Sequence, residues 1–284
     1  MPTSEKKNIQ NSDSYRNWAN LPWDVLGVIF KMIGTLQLII GADTVCKEWW
    51  KLAHQPRIWK EVQFFVKDRH VYDIKGMAFL SIHRSAGCLV EFFCMDRFGD
   101  ELLKCISESS PKLKRLGINC DGVSESALIK ACENLPLLEE LNISNFNMKA
   151  EGLKSLSNSC QNIKNFRFMH IPSNTDNSVS NELAIGIAKY MPHLNKLLIG
   201  GDKLDDKGVI KILKGCRQLS EFYLMECYKI TYSKQMCRRL YDCSKRGALS
   251  YNHVNLNISY FVDGNAENDP ILEHGEGNHE DNNA

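Results

Sequence analysis

The chain has 284 residues, a formal net charge of +1 and an isoelectric point near 7.5, so it lacks the basic surplus typical of proteins that bind nucleic acids. Its 11 cysteines are odd in number and include no C-x-x-C pair, which argues against both a disulfide framework and a structural zinc site. We expect reduced, mostly buried cysteines, no metal and no cofactor.

The N-terminal segment, residues 1–15, is polar and lacks the apolar core of a signal peptide. We expect it to be disordered. No later run is expected to reach the roughly 18 apolar residues needed to cross a bilayer. These features predict a soluble protein of the nucleus and/or cytoplasm, with neither a nucleic acid nor a membrane as its partner.

Residues 16–62 are predicted to form a compact box of three helices. The first, at 22–33, carries apolar side chains on all sides instead of along one stripe, and two further helices are expected at 36–43 and 45–53. A helix that is apolar all round must be buried all round, yet about 40 residues are too few to bury it unaided. Part of this surface is therefore expected to face a partner.

Residues 63–231 repeat one pattern at intervals of about 25 residues: an apolar residue, followed by apolar residues three and five positions later. Five sets match it in register: Leu113/Leu116/Ile118, Leu138/Leu141/Ile143, Ile163/Phe166/Phe168, Leu194/Leu197/Ile199 and Leu219/Phe222/Leu224. Two earlier sets extend it upstream: Leu89/Phe92/Cys94 and Trp59/Val62/Phe64. Alternation of the last two anchors predicts a short strand with one face turned inward.

A helix is predicted to follow most of these strands and to cover the inward face. Apolar residues recur at helical spacing in five segments: 100–107, 124–132, 150–156, 182–190 and 206–213. Asp100, Ser124 and Asp205 are predicted N-caps, since their side-chain oxygens can accept bonds from first-turn amides. One strand and one helix cannot bury their own apolar faces, so the units must stack into a curved solenoid.

Between the inward anchors lie residues that should point onto the concave face of this solenoid. The predicted binding set contains apolar and cationic side chains: Phe93, Met95, Arg167, Met169, Lys196, Leu198, Tyr223 and Met225. Exposed apolar residues on a sheet usually indicate a protein partner. We expect Leu198, Tyr223 and Met225 to anchor that partner, with Arg167 and Lys196 contributing charge. Alternatively, the segment 231–262 covers this end of the solenoid, since terminal repeats need caps.

The C-terminal part of the chain is divided into a cap region, residues 232–262, and an acidic tail rich in Gly and Asn, residues 263–284, which we expect to be disordered. None of the catalytic signatures G-x-S-x-G, G-x-x-x-x-G-K or H-E-x-x-H occurs in the sequence. The chain is therefore predicted to be non-catalytic.

Two parts of the chain resemble known families. Leu21-Pro22, Val45-Cys46-Lys47-Glu48-Trp49 and Pro56-Arg57-Ile58-Trp59 match the loose pattern of the F-box. Residues 216–231 follow the unit C-x-x-L-x-x-L-x-L-x-x-C-x-x-I-T of cysteine-containing leucine-rich repeats. The chain thus resembles the plant F-box proteins with leucine-rich repeats, an α/β architecture in which a three-helix F-box precedes a short horseshoe-shaped solenoid.

In that family the F-box docks a Skp-family adaptor, which leads to a cullin-RING ubiquitin ligase, while the repeats hold the protein to be ubiquitinated. The resemblance implies an adaptor-binding set within the box: Leu21, Pro22, Val25, Leu26, Ile29, Phe30, Val45, Cys46 and Trp49. Several of these residues could instead pack the core of the box. A rival interpretation is a leucine-rich-repeat protein-binding scaffold unrelated to ubiquitin, in which the box only caps the solenoid.

Overall fold

The computed structural model describes residues 18, 21–64, 71–146, 148–170, 179–201 and 203–245. The two segments predicted to be disordered, 1–15 and 263–284, lie outside the described residues. So does the part of the predicted cap region that follows residue 245.

The described part of the box is mostly helical up to Lys60. It begins with α1 (Trp23–Gln37), which continues through a π-helical segment (Leu38–Ala42) into the short α2 (Asp43–Val45). After it come α3 (Lys47–Ala53) and a 3-10 helix (Pro56–Lys60). The three predicted helices are therefore present, and the first two meet at Gly34, where the backbone leaves the helical conformation.

Gly34 divides the predicted first helix from the second. Its backbone angles, φ 83° and ψ 168°, interrupt α1 with a kink in a region that only glycine adopts readily. Space is not the constraint, because the nearest atom to an added Cβ would be Gln37 Oε1 at 3.8 Å. Glycine is thus needed here for its backbone conformation alone.

Strands and helices alternate after the box. They are β1 (Glu61–Phe64), α4 (Ile74–Ser85), β2 (Glu91–Arg97), α5 (Asp100–Ser109), β3 (Arg115–Asn119), α6 (Glu125–Glu133), β4 (Glu140–Ser144), α7 (Ala150–Ser159), β5 (Asn165–Met169), α8 (Glu182–Tyr190), β6 (Lys196–Gly200), α9 (Asp206–Gly215), β7 (Glu221–Met225) and α10 (Lys234–Lys245). The seven described strands form one parallel sheet in chain order. This is the strand-and-helix solenoid that the repeat predicted.

The predicted anchors form the core between the sheet and the helices. Register sets Leu116 opposite Leu141, and Phe166 opposite Leu197, so equivalent residues of successive units stack side by side. Every predicted anchor, from Trp59 to Leu224, is at most 8% exposed. Burial of each large anchor stabilises the fold by roughly 1.5 to 3 kcal/mol relative to exposure.

Two of the three predicted N-caps are confirmed. Ser124 Oγ accepts from the Ala127 amide, and Asp205 Oδ1 accepts from the amides of Lys207 and Gly208. The prediction for Asp100 is wrong, because Gly99 occupies the N-cap of α5. The Asp100 carboxylate instead accepts from the backbone amide and the hydroxyl of Ser124, both at 2.7 Å. It links the start of one helix to the cap of the next.

A polar joint connects the box to the solenoid. The Arg84 guanidinium, at the end of α4, lies 2.7 Å from Asp43 Oδ2 of α2 and 5.2 Å from the centre of the Trp59 ring. Trp59 Nε1 donates to the Ala53 carbonyl at 2.7 Å. These contacts hold the box against the first repeat at a fixed position.

The described C-terminal end packs against α9, the last helix of the repeats. Helix α10 packs on α9 and buries Met236 and Leu240. Asp206, at the start of α9, accepts from the amides of Thr231 at 2.8 Å and Ser233 at 2.6 Å. Within the described residues, then, the segment after β7 packs against the last repeat helix, and Met225 on the sheet remains 44% exposed.

Candidate protein-binding surfaces

The box presents an apolar surface on α1. This helix buries Leu26 and Phe30, one turn apart, and Phe30 packs edge-to-face on Trp49 with ring centres 5.4 Å apart. Its opposite side carries Val28 and Met32, which are 58% and 81% exposed. Further large apolar side chains of the box are exposed: Trp23, Val25, Ile40, Val45 and Trp50. The surplus of apolar surface expected from the sequence is present.

The predicted adaptor-binding residues fall into three groups. Pro22, Val25 and Val45 are exposed. Leu21, Ile29, Cys46 and Trp49 are half-buried. Leu26 and Phe30 are 1% and 2% exposed, so a direct contact with an adaptor is not open to them. Their side chains form the core of the box.

Sequence reasoning left Val28 and Met32 out of the adaptor-binding set. Together with Val25 and Ile29 they lie three, four and seven positions apart, which places all four on one side of a helix. We name these four residues the α1 stripe. The spacing was available in the sequence, but an apolar residue at almost every position of α1 concealed which side faces inward.

The segment Trp23–Val45 is long and apolar enough to cross a membrane by length and composition. This corrects the expectation that no run reaches such a length. A single helix of this kind is weak evidence, because core helices and signal sequences share these properties. Gly34 kinks it, so the straight part before the kink, about 11 residues, spans roughly 16 Å of a hydrocarbon layer about 30 Å thick. The exposed apolar surface fits a protein partner better.

The second surface is the open face of the sheet, opposite the helices. Strand register places Arg167, Leu198 and Tyr223 in one row across β5, β6 and β7, and Met169 and Met225 in the next row with Gly200 between them. We name the six residues Arg167, Met169, Lys196, Leu198, Tyr223 and Met225 the β5–β7 patch. Six of the eight residues predicted to bind a partner therefore lie together at one end of the sheet.

The remaining two predicted residues lie elsewhere. Phe93 and Met95 are on β2, three strands from β5 and therefore roughly 14 Å away at the usual strand spacing. The Phe93 ring lies over Gly117, where an added Cβ would come within 2.1 Å of it. Glycine at this point lets the ring lie flat against β3, apart from the patch.

Leu198 differs from its prediction as an exposed anchor, since it is only 8% exposed. It stands in register between Arg167 and Tyr223, and larger side chains on both sides restrict access to it. A similar close packing occurs at Gly200, where the Met169 sulfur is 2.2 Å from the position of an added Cβ. Leu198 therefore lies at the base of the β5–β7 patch, and Met225 is the most exposed residue of the patch.

Lys196 also differs from its prediction, because its charge is already paired. Its ammonium lies 2.6 Å from Glu221 Oε2 and 5.5 Å from the centre of the Tyr223 ring. Tyr223 donates its hydroxyl proton to the same carboxylate at 2.8 Å. The hydrogen bond with Glu221 raises the pKa of Lys196, and that with Lys196 lowers the pKa of Glu221. Both groups are charged at neutral pH, and they neutralise each other.

The described residues include no cluster of three or more His, Cys, Asp or Glu side chains that could hold a metal ion. Among the described cysteines, burial raises the pKa of both Cys120 and Cys216 to about 12. A thiol needs its thiolate form to attack a substrate, so these two are poorly suited to nucleophilic chemistry. The paired polar groups on the sheet, such as Lys196 and Glu221, are suited to binding a protein.

Comparisons with known proteins identify relatives among plant F-box proteins. The chain is 30% identical to F-box/LRR-repeat protein 9 of Arabidopsis thaliana over 224 residues, which are 76% of this chain and 90% of that protein. It is 28% identical to F-box/LRR-repeat protein 23 and 26% identical to F-box protein SKIP19 of the same plant, over 82% and 81% of this chain. It spans 53% of the length of the former and 76% of the latter.

No family model matches the chain. Among solved structures, a chain in the yeast complex of Rad7 and Elc1 is similar, with a TM-score of 0.48 and 18% identity over 76% of this chain and 56% of that one. The assignment depends on the relative that is 30% identical and nearly fully covered. The chain belongs to the plant F-box/LRR-repeat proteins.

Proposed function

We propose that this protein is a substrate-recognition subunit of an SCF-type (Skp, cullin, F-box) ubiquitin ligase. The box would dock a Skp-family adaptor, and the repeats would recruit a protein for ubiquitination and degradation. The observation that carries the proposal is the α1 stripe. In a chain of the F-box family, the box leaves a row of apolar side chains exposed on its first helix.

The size of this row suits a docking site. Val28 and Met32 are 58% and 81% exposed, and covering both by a partner would bury apolar surface worth at most roughly 1.5 to 3 kcal/mol for each side chain. Pro22 and Val45 are further exposed apolar residues of the same box. Such a patch has no evident use within the described part of the chain and favours a protein partner.

The proposed role of the chain is non-catalytic. A recruiting subunit accelerates modification by holding substrate lysines near the loaded ubiquitin carrier, which raises their effective concentration. A rigid connection between the two surfaces favours this effect, because the effective concentration rises only when the bound substrate can reach the ubiquitin carrier. The joint around Arg84 and Asp43 supplies that rigidity between box and repeats.

The test is co-expression of the full chain with a Skp-family adaptor and a measurement of co-purification. Val28→Asp/Met32→Asp places two charges on the α1 stripe and should abolish the complex. Leu21→Ala/Pro22→Ala removes two side chains just before α1 and should weaken the complex. Ile185→Asp is the matched control, since Ile185 is an exposed apolar residue on α8 of the solenoid. It should leave the complex intact.

Two results would contradict the proposal. If the unaltered chain does not bind the adaptor, the chain is better described as a leucine-rich-repeat binding scaffold. If Val28→Asp/Met32→Asp binds as well as Ile185→Asp, the α1 stripe is not the docking surface. Circular dichroism of each variant verifies that the box remains folded.

A further inference from the structure

The β5–β7 patch contains a cation, Arg167, that has no acidic partner among the described residues. Arg167 is half-buried, and no Asp or Glu of the described residues lies within 4 Å of its guanidinium, whereas Lys196 on the same face lies 2.6 Å from Glu221. Its neighbours in register are Asn142 and Leu198, neither of which carries charge. The residues directly beside Arg167 in the sheet therefore do not offset its charge.

The acids on this face are already engaged. Glu91 pairs with Arg115. Glu221 pairs with Lys196 and accepts from Tyr223. Glu140 accepts from the Asn142 amide at 2.9 Å. Among the described residues, then, no acid forms an ion pair with Arg167, and its guanidinium is open to a carboxylate ligand.

The charge of Arg167 has a small effect on the pKa of Lys196. The hydrogen bond with Glu221 is the main cause that raises this pKa, and the charge of Arg167 opposes the rise. A bound anion would relieve the same repulsion. A half-buried guanidinium binds a carboxylate more strongly than an exposed one does, because less water competes, and its planar fork can engage both carboxylate oxygens.

An apolar contact point lies at a suitable distance from this cation. Met225 is 44% exposed and stands two strands and two residues from Arg167 in the register. At the usual strand and residue spacings this separation is about 12 Å, the length of three or four extended residues. Tyr223 lies on the same strand as Met225 and in the same row as Arg167, and its hydroxyl donates to Glu221.

We propose that the β5–β7 patch binds an extended peptide segment whose Asp or Glu side chain pairs with Arg167 and whose large apolar side chain, three or four positions away, rests on Met225 and Tyr223. This inference deepens the proposed function by naming the chemical class of the recruited segment. Charge complementarity selects the acid, and the exposed methionine selects the apolar residue.

The test uses a phage-displayed library of random 12-residue peptides, selected on the full-length chain. Selection should enrich peptides that carry Asp or Glu three or four positions from Leu, Met, Phe or Trp. Binding of a selected peptide should fall about tenfold or more with Arg167→Gln. Arg115→Gln is the matched control, because it removes an arginine of the same sheet face that Glu91 already neutralises. It should change binding less than twofold.

A second variant tests the same idea by gain of binding. Glu221→Gln would release the charge of Lys196 beside Arg167, so acidic peptides should bind severalfold more tightly. This result would stand even if Arg167→Gln impaired folding. Equal losses for Arg167→Gln and Arg115→Gln, no enrichment of acidic residues, or weaker binding with Glu221→Gln would each overturn the inference. Recovery of binding only with phosphoserine peptides, tested separately, would replace the carboxylate by a phosphate and overturn it as well.

The outcome can be separated from that of the ligase proposal. Peptide selection requires only the repeats, whereas adaptor binding requires only the box. If the chain selects acidic peptides through Arg167 but does not bind the adaptor, the ligase proposal fails and the peptide site stands as that of a scaffold. If it binds the adaptor but selects no acidic peptides, the proposed substrate class fails and the ligase proposal remains.

Discussion

In the box, α1 buries Leu26 and Phe30 and leaves Val28 and Met32 in solvent, whereas in the solenoid neighbouring units cover every inward anchor. The difference follows from how each part is built. A repeat unit always has another unit or a cap against which to pack, so its apolar residues find partners within the chain. A short helical box has no such supply, and its remaining apolar surface is available to another protein.

The comparison predicts opposite roles for large apolar residues in the two regions. Phe166→Ala in the solenoid removes a side chain that is 1% exposed and should lower the free energy of unfolding by about 3 to 5 kcal/mol, since it leaves a cavity between units. Met32→Ala in the box should change it by less than about 0.5 kcal/mol. Urea unfolding followed by circular dichroism measures both. Equal losses would show that the α1 stripe is structural.

The joint between the regions provides the next largest expected effect. Arg84→Ala leaves Asp43 partly buried without its cation and should cost about 2 kcal/mol, less than a fully buried pair because both side chains keep some contact with water. Lys75→Ala is the control. It removes an ion pair with Glu101 whose side chains are 57% and 76% exposed, so the expected change is near zero.

A double variant distinguishes a true joint from general damage. Asp43→Ala/Arg84→Ala removes both charges, so its loss of stability should be smaller than the sum of the two single losses. Additive losses would mean that Arg84 contributes through its contact with the Trp59 ring and not through Asp43. Unfolding curves of the three variants measure the difference.

Much of the solenoid was predictable because its pattern depends on local spacing. Leu116, Phe166 and Leu197 occupy equivalent positions of successive units, and alternation along a strand fixes which side each one faces. The helices from α5 to α9 begin and end within a few residues of their predicted limits for the same reason. One repeated unit constrains all the others.

The sequence did not reveal which of two neighbouring apolar residues faces the core, or which charged residues pair with each other. Leu26 faces inward and Val25 outward, yet both are apolar, so periodicity could not separate them. The pairing of Lys196 with Glu221 joins residues 25 positions apart in sequence, and it depends on strand register and side-chain conformation. These tertiary details decide which predicted site residues can contact a partner.

Two glycines of α1, Gly34 at the kink and Gly27 in the regular helix, should respond differently to substitution by alanine. Gly34→Ala should lower stability by about 2 kcal/mol, because φ 83° with ψ 168° is a conformation that other residues adopt only under strain. Gly27→Ala, within the regular part of α1 and with no atom within 4 Å of the added Cβ, should instead raise it by about 0.5 to 1 kcal/mol. Thermal unfolding of the two variants should give shifts of opposite sign. A loss at Gly27 would contradict the assigned geometry of α1.

The far end of the solenoid should respond to pH through Asp206. Burial alone would raise the pKa of this carboxyl, but hydrogen bonds from Ser233 and Thr231 outweigh it, and the pKa lies below the usual 3.8. A depressed folded-state pKa stabilises the fold above about pH 4, and this contribution is lost as the pH falls through the lower folded value. Asp206→Asn should therefore cost about 1 kcal/mol at pH 7.

The difference in the free energy of unfolding between Asp206→Asn and the unaltered chain should become smaller below pH 4. Glu108→Gln, which removes an exposed charge at the end of α5, should change stability by less than about 0.5 kcal/mol at any of these pH values. A difference at Asp206 that stays constant down to pH 3 would mean that its hydrogen bonds do not depend on the charge. The segment 231–233 would then be held to α9 by shape and packing, as the inward anchors of the repeats are held.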